Sequence, residues 1–296
     1  MISPRFPWPF SRWTWLTEPV PAERLAAVRI ATAAALLLDL CLGCLPYFNL
    51  LFTADGLAGR DAYPLRFREG TLYWSLLRWL PDAWGPHSLM ALWLVAAVAM
   101  LFGYRVFLSA LVCWACAVSF QSINPSVCNG GDQLRNALLF TVMCIGLGAP
   151  VGRGDRAFSS PRPTGAIAEA WPLRVLFVQM CCMYFFSALY KLRWAEWRDG
   201  SAMSAVNHNR TWSMCPDLTA ALPGWSHPFA TWLTLAWELS FPLLACLRRT
   251  RLFVLGLGVF FHVATLFTLE VGSFATYSLV YYVPFVPWER WRKSVE

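Results

Sequence analysis

Eight long apolar runs follow one another along the chain, and short segments rich in proline, glycine and charged residues separate them. An α-helix needs about 20 mostly apolar residues to cross a bilayer, so each run predicts one transmembrane helix. The last run is the shortest. The predicted spans are residues 24–50, 86–103, 106–124, 133–150, 173–191, 229–247, 252–269 and 272–288.

Other segments combine aromatic and basic residues without a long apolar core. Residues 1–23 begin with "MISPRFPWPFSRWTW", which is unlike a cleavable signal peptide, and we expect them to lie at the membrane interface. Residues 63–81 alternate basic and aromatic residues, which is typical of a helix lying on the membrane surface. Residues 24–289 are then one transmembrane domain, and residues 290–296 form a basic tail.

The amino-acid composition excludes an ordinary soluble domain. Hydrophobic residues make up 57% of the chain and charged residues only 14%, whereas soluble domains average about 25% charged residues. The sequence therefore predicts an all-α fold, a polytopic bundle of transmembrane helices.

The net charge of +7 comes from arginines and lysines in the segments between spans. The larger share lies in the N-terminal segment, the turn at 104–105, the loop over 151–172, the "RRTR" loop at 248–251 and the C-terminus. Membrane proteins keep such residues in the cytoplasm. We expect both termini in the cytoplasm of a bacterial cell and the loop over 192–228 outside its plasma membrane, with lipids rather than nucleic acid around the chain.

Ten cysteines are present, and most lie in apolar runs, where cysteine serves as a small apolar residue. "CLGC" and "CWAC" nevertheless have the C-x-x-C spacing of redox pairs. Cys128 and Cys215 lie in predicted loops on the oxidising side, where they could form a disulfide.

Arg29 and Asp39 are ionisable residues inside the first span. Ten residues separate them, which places both on one face of a helix but about 15 Å apart along its axis. Because a charge in the hydrocarbon region is costly, we expect each to tie the first span to a neighbouring helix or to face a cavity or ligand.

Asp132 and Arg135 stand near the start of the fourth span, in "NGGDQLRNALL". An acidic residue there is typical of a helix N-cap, because it accepts hydrogen bonds from free backbone amides. The alternative is a polar site at the outer mouth, since the two glycines would let the backbone approach a ligand.

Glu238 and His262 lie deep in the sixth and seventh spans, in "TLAWELSFPLLA" and "VFFHVATLF". A carboxylate at that depth should be paired or protonated. A buried histidine is usually satisfied by a hydrogen bond within the protein. For both residues the sequence leaves a structural and a functional role open.

Lys191 ends the fifth span in "MYFFSALYKLRWAEW". A lysine at a span end commonly extends its ammonium to the headgroups. Alternatively, an aromatic pocket with Tyr190 and Trp194 would favour a neutral amine that acts as a base, and it could stack a flat quinone ring. Taken alone, these residues leave both interpretations open.

These stretches together resemble the HTTM family, the transmembrane domain shared with vitamin K-dependent γ-carboxylase, over residues 24–289. "LAAVRIATAAALLLDL" is similar to the family's first helix, and "WELSFPLL" and "FFHVATLFTLEVGSFATYSL" are similar to two later helices. "YFFSALYKLRWAEW" resembles the stretch that contains the catalytic lysine. In that match Lys191 falls on the base that deprotonates a reduced quinone.

The chain departs from the carboxylase at two points. The carboxylase has Asn-Asn-His before its equivalent of the fourth span, whereas this chain has "CNGGDQL", so that Gly131 or a neighbour stands in place of the histidine. A second catalytic group is then either missing or replaced, with Asp132 as the candidate. The chain also ends soon after the last span, without room for the large extra-membrane region that binds the propeptide. The short length and "NPSVCNGGDQL" resemble family members of bacterial toxin-peptide maturation, such as the sporulation-delaying system.

The resemblance implies carboxylase-type chemistry, in which lysine deprotonates a reduced quinone, oxygen adds, and the strong base that results removes a γ-proton from a peptide glutamate. The alternative is a non-catalytic membrane subunit in the maturation or export of a secreted toxin peptide. No metal-site motif is apparent. The predicted catalytic residues are Lys191, Asp132 and His262, and the predicted cofactor-binding residues are Tyr190, Trp194, Glu238, Arg29 and Asp39.

Overall fold

The computed structural model describes residues 19–53, 55–56, 74–124, 127–148 and 167–289. These residues are mostly helical, as predicted, and they form two compact units. Arg174–Val271 make up the middle unit, and Pro19–Leu173 with residues 272–289 make up the terminal unit. The predicted segments 1–23, 63–81 and 290–296 lie wholly or mostly outside the described residues.

Helices account for nearly all of the regular structure. Two short strands, β1 (Pro19–Pro21) and β2 (Ile167–Glu169), pair antiparallel. The α-helices are α1 (Ala22–Leu38), α2 (Phe48–Phe52), α3 (Gly85–Phe102), α4 (Val106–Ile123), α5 (Gly130–Gly148), α6 (Trp171–Lys191), α7 (Ala195–Asp199), α8 (Ala202–Asn207), α9 (Pro216–Ala220), α10 (Ser226–Cys246), α11 (Arg251–Thr268) and α12 (Phe274–Val280). A π-helical turn, Asp39–Cys44, and a 3-10 turn, Leu45–Tyr47, continue α1 into α2.

Several of these helices indicate a multi-pass membrane protein. Within the described residues, six helical stretches are long and apolar enough to cross a bilayer. They are Ala22–Phe52, Gly85–Phe102, Val106–Ile123, Trp171–Lys191, Ser226–Cys246 and Arg251–Thr268. The predicted number of eight spans is not confirmed, because α5 carries polar residues in its first turns and α12 has only seven residues.

The predicted span over 272–288 shows why an apolar run does not guarantee a long helix. α12 ends at Val280, and a 3-10 turn, Val283–Phe285, follows it. Pro284 has no N–H to bond the carbonyl of residue 280, so the α-helix cannot continue.

The ends of the terminal unit are fixed by two long-range contacts. β1 precedes α1 and pairs with β2, which precedes α6, so the chain returns to the same end after α1, α3, α4 and α5. Arg24 Nη2 lies 2.7 Å from Glu289 Oε1, which brings the last described residue to the start of α1. The helices between these contacts therefore enclose one common core.

The core of the terminal unit is aromatic where α3 meets α4. The rings of Trp93 and Phe120 stack with centroids 5.6 Å apart, and Phe52 contacts Phe120 at 5.0 Å. Fully buried alanines, including Ala97 and Ala117, let the helix backbones approach closely. This packing holds Trp93 next to the polar residues of α5.

The middle unit contains α10, α11 and most of α6, and the loop over 192–228 folds into the short helices α7, α8 and α9. An antiparallel bridge between Ser213 and Leu269 ties this loop to the end of α11. Trp212 and Glu270 add a backbone hydrogen bond of 2.8 Å beside it. The loop is thus packed against the helices that carry the site residues.

Candidate functional site

The middle unit contains an ion pair at the end of α6. Lys191 Nζ donates to Glu238 Oε1 from the middle of α10, and Ser187 Oγ lies 3.4 Å from the same oxygen. Ser187 and Lys191 are four residues apart, which is about one helical turn, so both side chains face α10. The expectation that Glu238 is paired is confirmed.

Both partners of the ion pair are largely shielded from solvent. The side chains of Lys191 and Glu238 are 21% and 5% exposed. Lys191 Nζ also lies 4.9 Å from the ring centroid of Trp197, a cation–π contact that stabilises the ammonium. Lys191 is therefore held within the middle unit by Glu238 and Trp197.

The expected aromatic pocket around Lys191 is more open than the sequence suggested. Tyr190 and Trp194 are 59% and 52% exposed, and their rings contact each other edge to face at 6.4 Å. The aromatic contact to the ammonium comes from Trp197. A role of Tyr190 and Trp194 in stacking a quinone ring stays a prediction.

Glu238 has further capacity to accept hydrogen bonds. Its Oε2 atom is buried and has no hydrogen-bond partner among the described residues. Pro242, four residues on in α10, has no N–H, so the backbone carbonyl of Glu238 lacks its usual helical donor. Because a buried acceptor without a partner costs about 1–3 kcal/mol, Oε2 is suited to receive a donor from a bound molecule.

His262 and Tyr184 form a second buried contact in the middle unit. The Tyr184 hydroxyl and His262 Nε2 are 2.7 Å apart, and the two residues are 2% and 0% exposed. Trp237 and Phe241 of α10 pack against the Tyr184 ring at 4.6 and 4.5 Å. The expectation that His262 is satisfied by a hydrogen bond within the protein is confirmed.

The terminal unit contains a separate buried cluster around Arg135. Arg135 Nη1 lies 2.9 Å from Asp132 Oδ1 and 3.2 Å from Asp39 Oδ2. Tyr277 of α12 donates its hydroxyl to the same Asp39 oxygen at 2.8 Å. The Arg135 guanidinium also lies over the ring of Trp93 at 5.3 Å. The cluster therefore ties α1, α3, α5 and α12 together.

Asp132 also stabilises the start of α5. Its Oδ2 atom accepts from the backbone N–H of Asn129 at 2.7 Å, and Asn129 Oδ1 accepts from the N–H of Gly131 at 2.7 Å. The arrangement is a variant of the capping box, in which Asn129 is the N-cap and the Asp132 side chain, at the third helical position, accepts from its N–H. The Asn129 side chain bonds the N–H of the second helical residue rather than that of the third. The expected capping role is thus correct for the motif, but the N-cap lies three residues earlier.

Arg29 contacts the end of α3. Its Nη1 donates to the carbonyl oxygens of Met100 and Leu101 in the last turn of α3, where helices lack donors for their final carbonyls. The N–H of Gly103 also donates to the Met100 carbonyl. Gly103 follows with φ +80°, the left-handed conformation that ends many helices. Arg29 and Asp39 therefore each tie the first span to other helices, as expected, and their predicted cofactor-binding roles stay predictions.

The two loop cysteines are free thiols. Cys128 Sγ lies 3.7 Å from the carbonyl of Gln121, and Cys215 Sγ lies 3.7 Å from that of Phe267. Burial, together with the neighbouring Asp132 carboxylate, raises the pKa of the Cys128 thiol to about 11. A protonated thiol is a poor nucleophile, and the disulfide considered from the sequence is not formed.

The predicted site residues divide between the two units. No group of three or more His, Cys, Asp or Glu residues in the described ranges could hold a metal ion. The middle unit contains Lys191, Glu238, His262, Tyr190 and Trp194, and the terminal unit contains Arg29, Asp39 and Asp132. Their catalytic and cofactor-binding roles stay predictions.

Sequence reasoning missed two polar partners. Tyr277 carries no recognisable signal, because it lies in an apolar stretch and reaches Asp39 only through the packing of α12 on α1. For Tyr184, which contacts His262, the sequence did contain a usable signal, namely its spacing from Lys191. Tyr184 and Lys191 are seven residues apart, about two helical turns, which places them on one face of α6.

Comparison with known proteins assigns the family. The profile of the HTTM domain matches residues 71–291, which are 221 of the 296 residues. Comparison with curated proteins and with solved structures gave no match. The matched region contains four of the predicted site residues, Lys191, Glu238, His262 and Asp132. The chain belongs to the HTTM family of membrane proteins.

Proposed function

We propose that this chain is a membrane enzyme in which the Lys191–Glu238 pair removes a proton from a hydroxyl group of a reduced quinone. Its product would be a modified peptide at the outer membrane face, as the resemblance to the γ-carboxylase implies. The observation that carries the proposal is the ion pair itself: an amine, a carboxylate and an aromatic face meet at one shielded point of the middle unit.

A reduced quinone would supply the hydrogen-bond donor that Glu238 lacks on its second carboxylate oxygen. Glu238 Oε2 is a buried acceptor without a partner among the described residues, and a quinol hydroxyl is a donor. When bound, such a molecule would supply an acidic hydroxyl group and reducing equivalents. Glu238 would hold the hydroxyl, and Lys191 would stand beside it.

The proposed chemistry uses the proton that Lys191 Nζ donates to Glu238 Oε1 in the hydrogen bond of the pair. Transfer of that proton from Lys191 Nζ to Glu238 Oε1 leaves an amine and a carboxylic acid, and it removes two charges from a low-dielectric site. The neutral Nζ is then a base that can accept the proton of a bound hydroxyl. Trp197 stabilises the ammonium that forms, and Ser187 helps to orient Glu238.

Arginine at position 191 is the sharpest test. Lys191→Arg keeps the positive charge and the ion pair, but a guanidinium does not lose its proton. With the purified full-length protein in lipid nanodiscs, the oxidation of a reduced naphthoquinone in air should fall by about 10²–10⁴-fold. The chain has one other lysine, Lys293, and Lys293→Arg should leave the rate unchanged.

Two results would overturn the proposal. One is a wild-type oxidation rate no higher than that of nanodiscs without protein. The other is a Lys191→Arg variant that folds and retains the wild-type rate, because the neutral amine would then not be needed. Mass spectrometry of an added glutamate-containing peptide tests separately whether a modified peptide is the product.

A second candidate is a non-catalytic membrane subunit in the maturation of a secreted peptide. It is favoured by Gly131, where a Cβ atom would lie 2.6 Å from the backbone nitrogen of Phe274. The "NGGD" turn is thus used for close packing where the carboxylase has a histidine. If peptide maturation in cells needs the chain but tolerates Lys191→Arg and Glu238→Gln, this candidate is the correct one.

A further inference from the structure

The buried cluster of the terminal unit, defined here as Asp39, Asp132, Arg135, Tyr277 and Trp93, is not used by the proposed function. Its members come from α3, α5 and α12 and from the π-helical turn that begins at Asp39. π-Helical turns are rare and often occur at functional sites. We refer to these five residues as the Arg135 cluster.

Two N–H donors in the Arg135 cluster have no acceptor among the described residues. They are Arg135 Nε and Trp93 Nε1, and the two residues are only 3% and 1% exposed. The guanidinium carbon of Arg135 lies 5.3 Å from the Trp93 ring centroid, so the two donors belong to side chains in contact. Buried N–H groups are nearly always paired, with protein or with a bound molecule. Two neighbouring ones point to a shared acceptor.

The charges of the cluster restrict what this acceptor can be. Asp39 and Asp132 contribute two carboxylates, and Arg135 contributes one guanidinium. The other titratable groups near them, Tyr277, Cys44 and Cys128, add no positive charge. An anion would increase an uncompensated buried negative charge. A cation cannot accept hydrogen bonds, so it would leave the N–H groups of Arg135 and Trp93 without an acceptor.

An uncharged hydroxyl group satisfies both conditions. Its oxygen accepts from Trp93 Nε1 and Arg135 Nε, and its own O–H donates to a carboxylate. Asp39 Oδ2 already accepts from Arg135 and Tyr277, but an ionised carboxylate offers about four acceptor positions, so capacity remains. A buried water typically makes about three such bonds.

We propose that the Arg135 cluster is a binding site for one uncharged hydroxyl group, held at the indole edge of Trp93. Phe120 stacks on that ring at 5.6 Å, and the Arg135 guanidinium lies over it at 5.3 Å. The N–H of an indole lies at the edge of its ring, so the hydroxyl would bind Trp93 there. The hydroxyl belongs to a trapped water or to the end of a lipid-soluble alcohol or phenol. The site lies in the terminal unit and does not rest on the proposed function.

The indole N–H of Trp93 reports on this site directly. We would record the ¹⁵N-labelled indole signals of the full-length protein in nanodiscs and identify that of Trp93 by its loss in Trp93→Phe. Trp114, whose ring stacks on Trp74, gives the matched control through Trp114→Phe. If Trp93→Phe does not fold, Phe120→Leu shifts the stacked Trp93 signal and gives the same assignment.

The source of the hydroxyl decides which cross-peaks appear. A cross-peak from the Trp93 N–H to a long-lived water supports the proposal with water as the ligand. Cross-peaks to carbon-bound protons of a co-purified molecule, lost after lipid extraction, support it with an organic hydroxyl. An indole N–H with neither cross-peak, or one bonded to a protein acceptor, overturns the proposal.

Discussion

Lys191, the last residue of α6, forms an ion pair with Glu238, whose side chain projects from the middle of α10. The two residues are 47 positions apart in the chain, so only the packing of the middle unit brings them together. Each charge is compensated only while the other is present. The pair is therefore a structural element of the middle unit as well as the centre of the proposed chemistry.

Removal of one partner of this pair should destabilise the protein strongly. Lys191→Ala leaves a nearly buried carboxylate without its cation, and the loss for buried pairs is about 3–5 kcal/mol. The partial exposure of Lys191 places the expected loss near the lower end, about 3 kcal/mol. Thermal unfolding in one detergent measures it.

The matched control for the ion pair is a double variant. Lys191→Met with Glu238→Leu removes both charges and should restore most of the stability, because apolar pairs often replace buried ion pairs without loss. Arg198→Ala removes an exposed charge on α7 and should have little effect. Strict additivity of the two single changes in a double-mutant cycle would contradict the pairing.

The Tyr184–His262 hydrogen bond should be worth a measurable part of the stability. Tyr184→Phe keeps the ring and its packing on Trp237 and Phe241 but removes the hydroxyl that contacts His262. We expect a loss of about 1–3 kcal/mol in thermal unfolding, because a buried partner is left without its bond. Tyr190→Phe, at a residue 59% exposed, is the control and should be neutral.

The two glycines before Asp132 should respond differently to alanine. At Gly131 a Cβ atom would lie 2.6 Å from the backbone nitrogen of Phe274, which cannot move alone. At Gly130 the nearest atom is Cδ2 of the Phe274 ring at 3.1 Å, and a side chain can turn aside. We expect Gly131→Ala to lower the melting temperature clearly more than Gly130→Ala. Equal effects would show that α12 does not pack against this turn.

The orientation predicted from the positive charges can be tested with a natural glycosylation motif. Asn209, Arg210 and Thr211 form an N-x-T sequence at exposed positions of the 192–228 loop. During translation with microsomes, the wild type should gain one glycan, detected as a mobility shift, and Asn209→Gln should not.

A second glycosylation motif, in a loop predicted to lie on the opposite side of the membrane, tests the orientation from that side. Ala157→Asn creates Asn-Phe-Ser in the loop over 151–172, which is predicted to be cytoplasmic. Combined with Asn209→Gln, it should remain unmodified. Glycosylation at position 157 together with its absence at Asn209 would reverse the predicted topology.

Much of the local organisation follows from the sequence because it depends on near neighbours. The apolar runs predict the long helices, and the ten-residue spacing of Arg29 and Asp39 predicts that they cannot pair with each other. The capping motif at Asn129 and Asp132 is likewise local. The error over 272–288 has a local reason too, since Pro284 ends α12 although the stretch is apolar.

The contacts of the candidate site could not be predicted in the same way. No pattern in the sequence around Lys191 predicts that Glu238 is its partner. Likewise, no pattern around Asp39 predicts its contact with Tyr277, which lies 238 residues away. Such pairs depend on the relative rotation and depth of helices, which many side chains decide together. The sequence limited each charged residue to a few roles but did not select one.

The sequence by itself determined that this chain is a helical membrane protein, because crossing a bilayer requires long apolar helices whatever their partners. It also determined that charges within those helices need partners, since an isolated charge is costly there. Only the tertiary structure decided which partners they have. It placed Lys191 with Glu238 and Trp197, and Arg135 with Asp39 and Trp93, because ion pairs and hydrogen bonds act over a few ångströms and packing alone sets those distances.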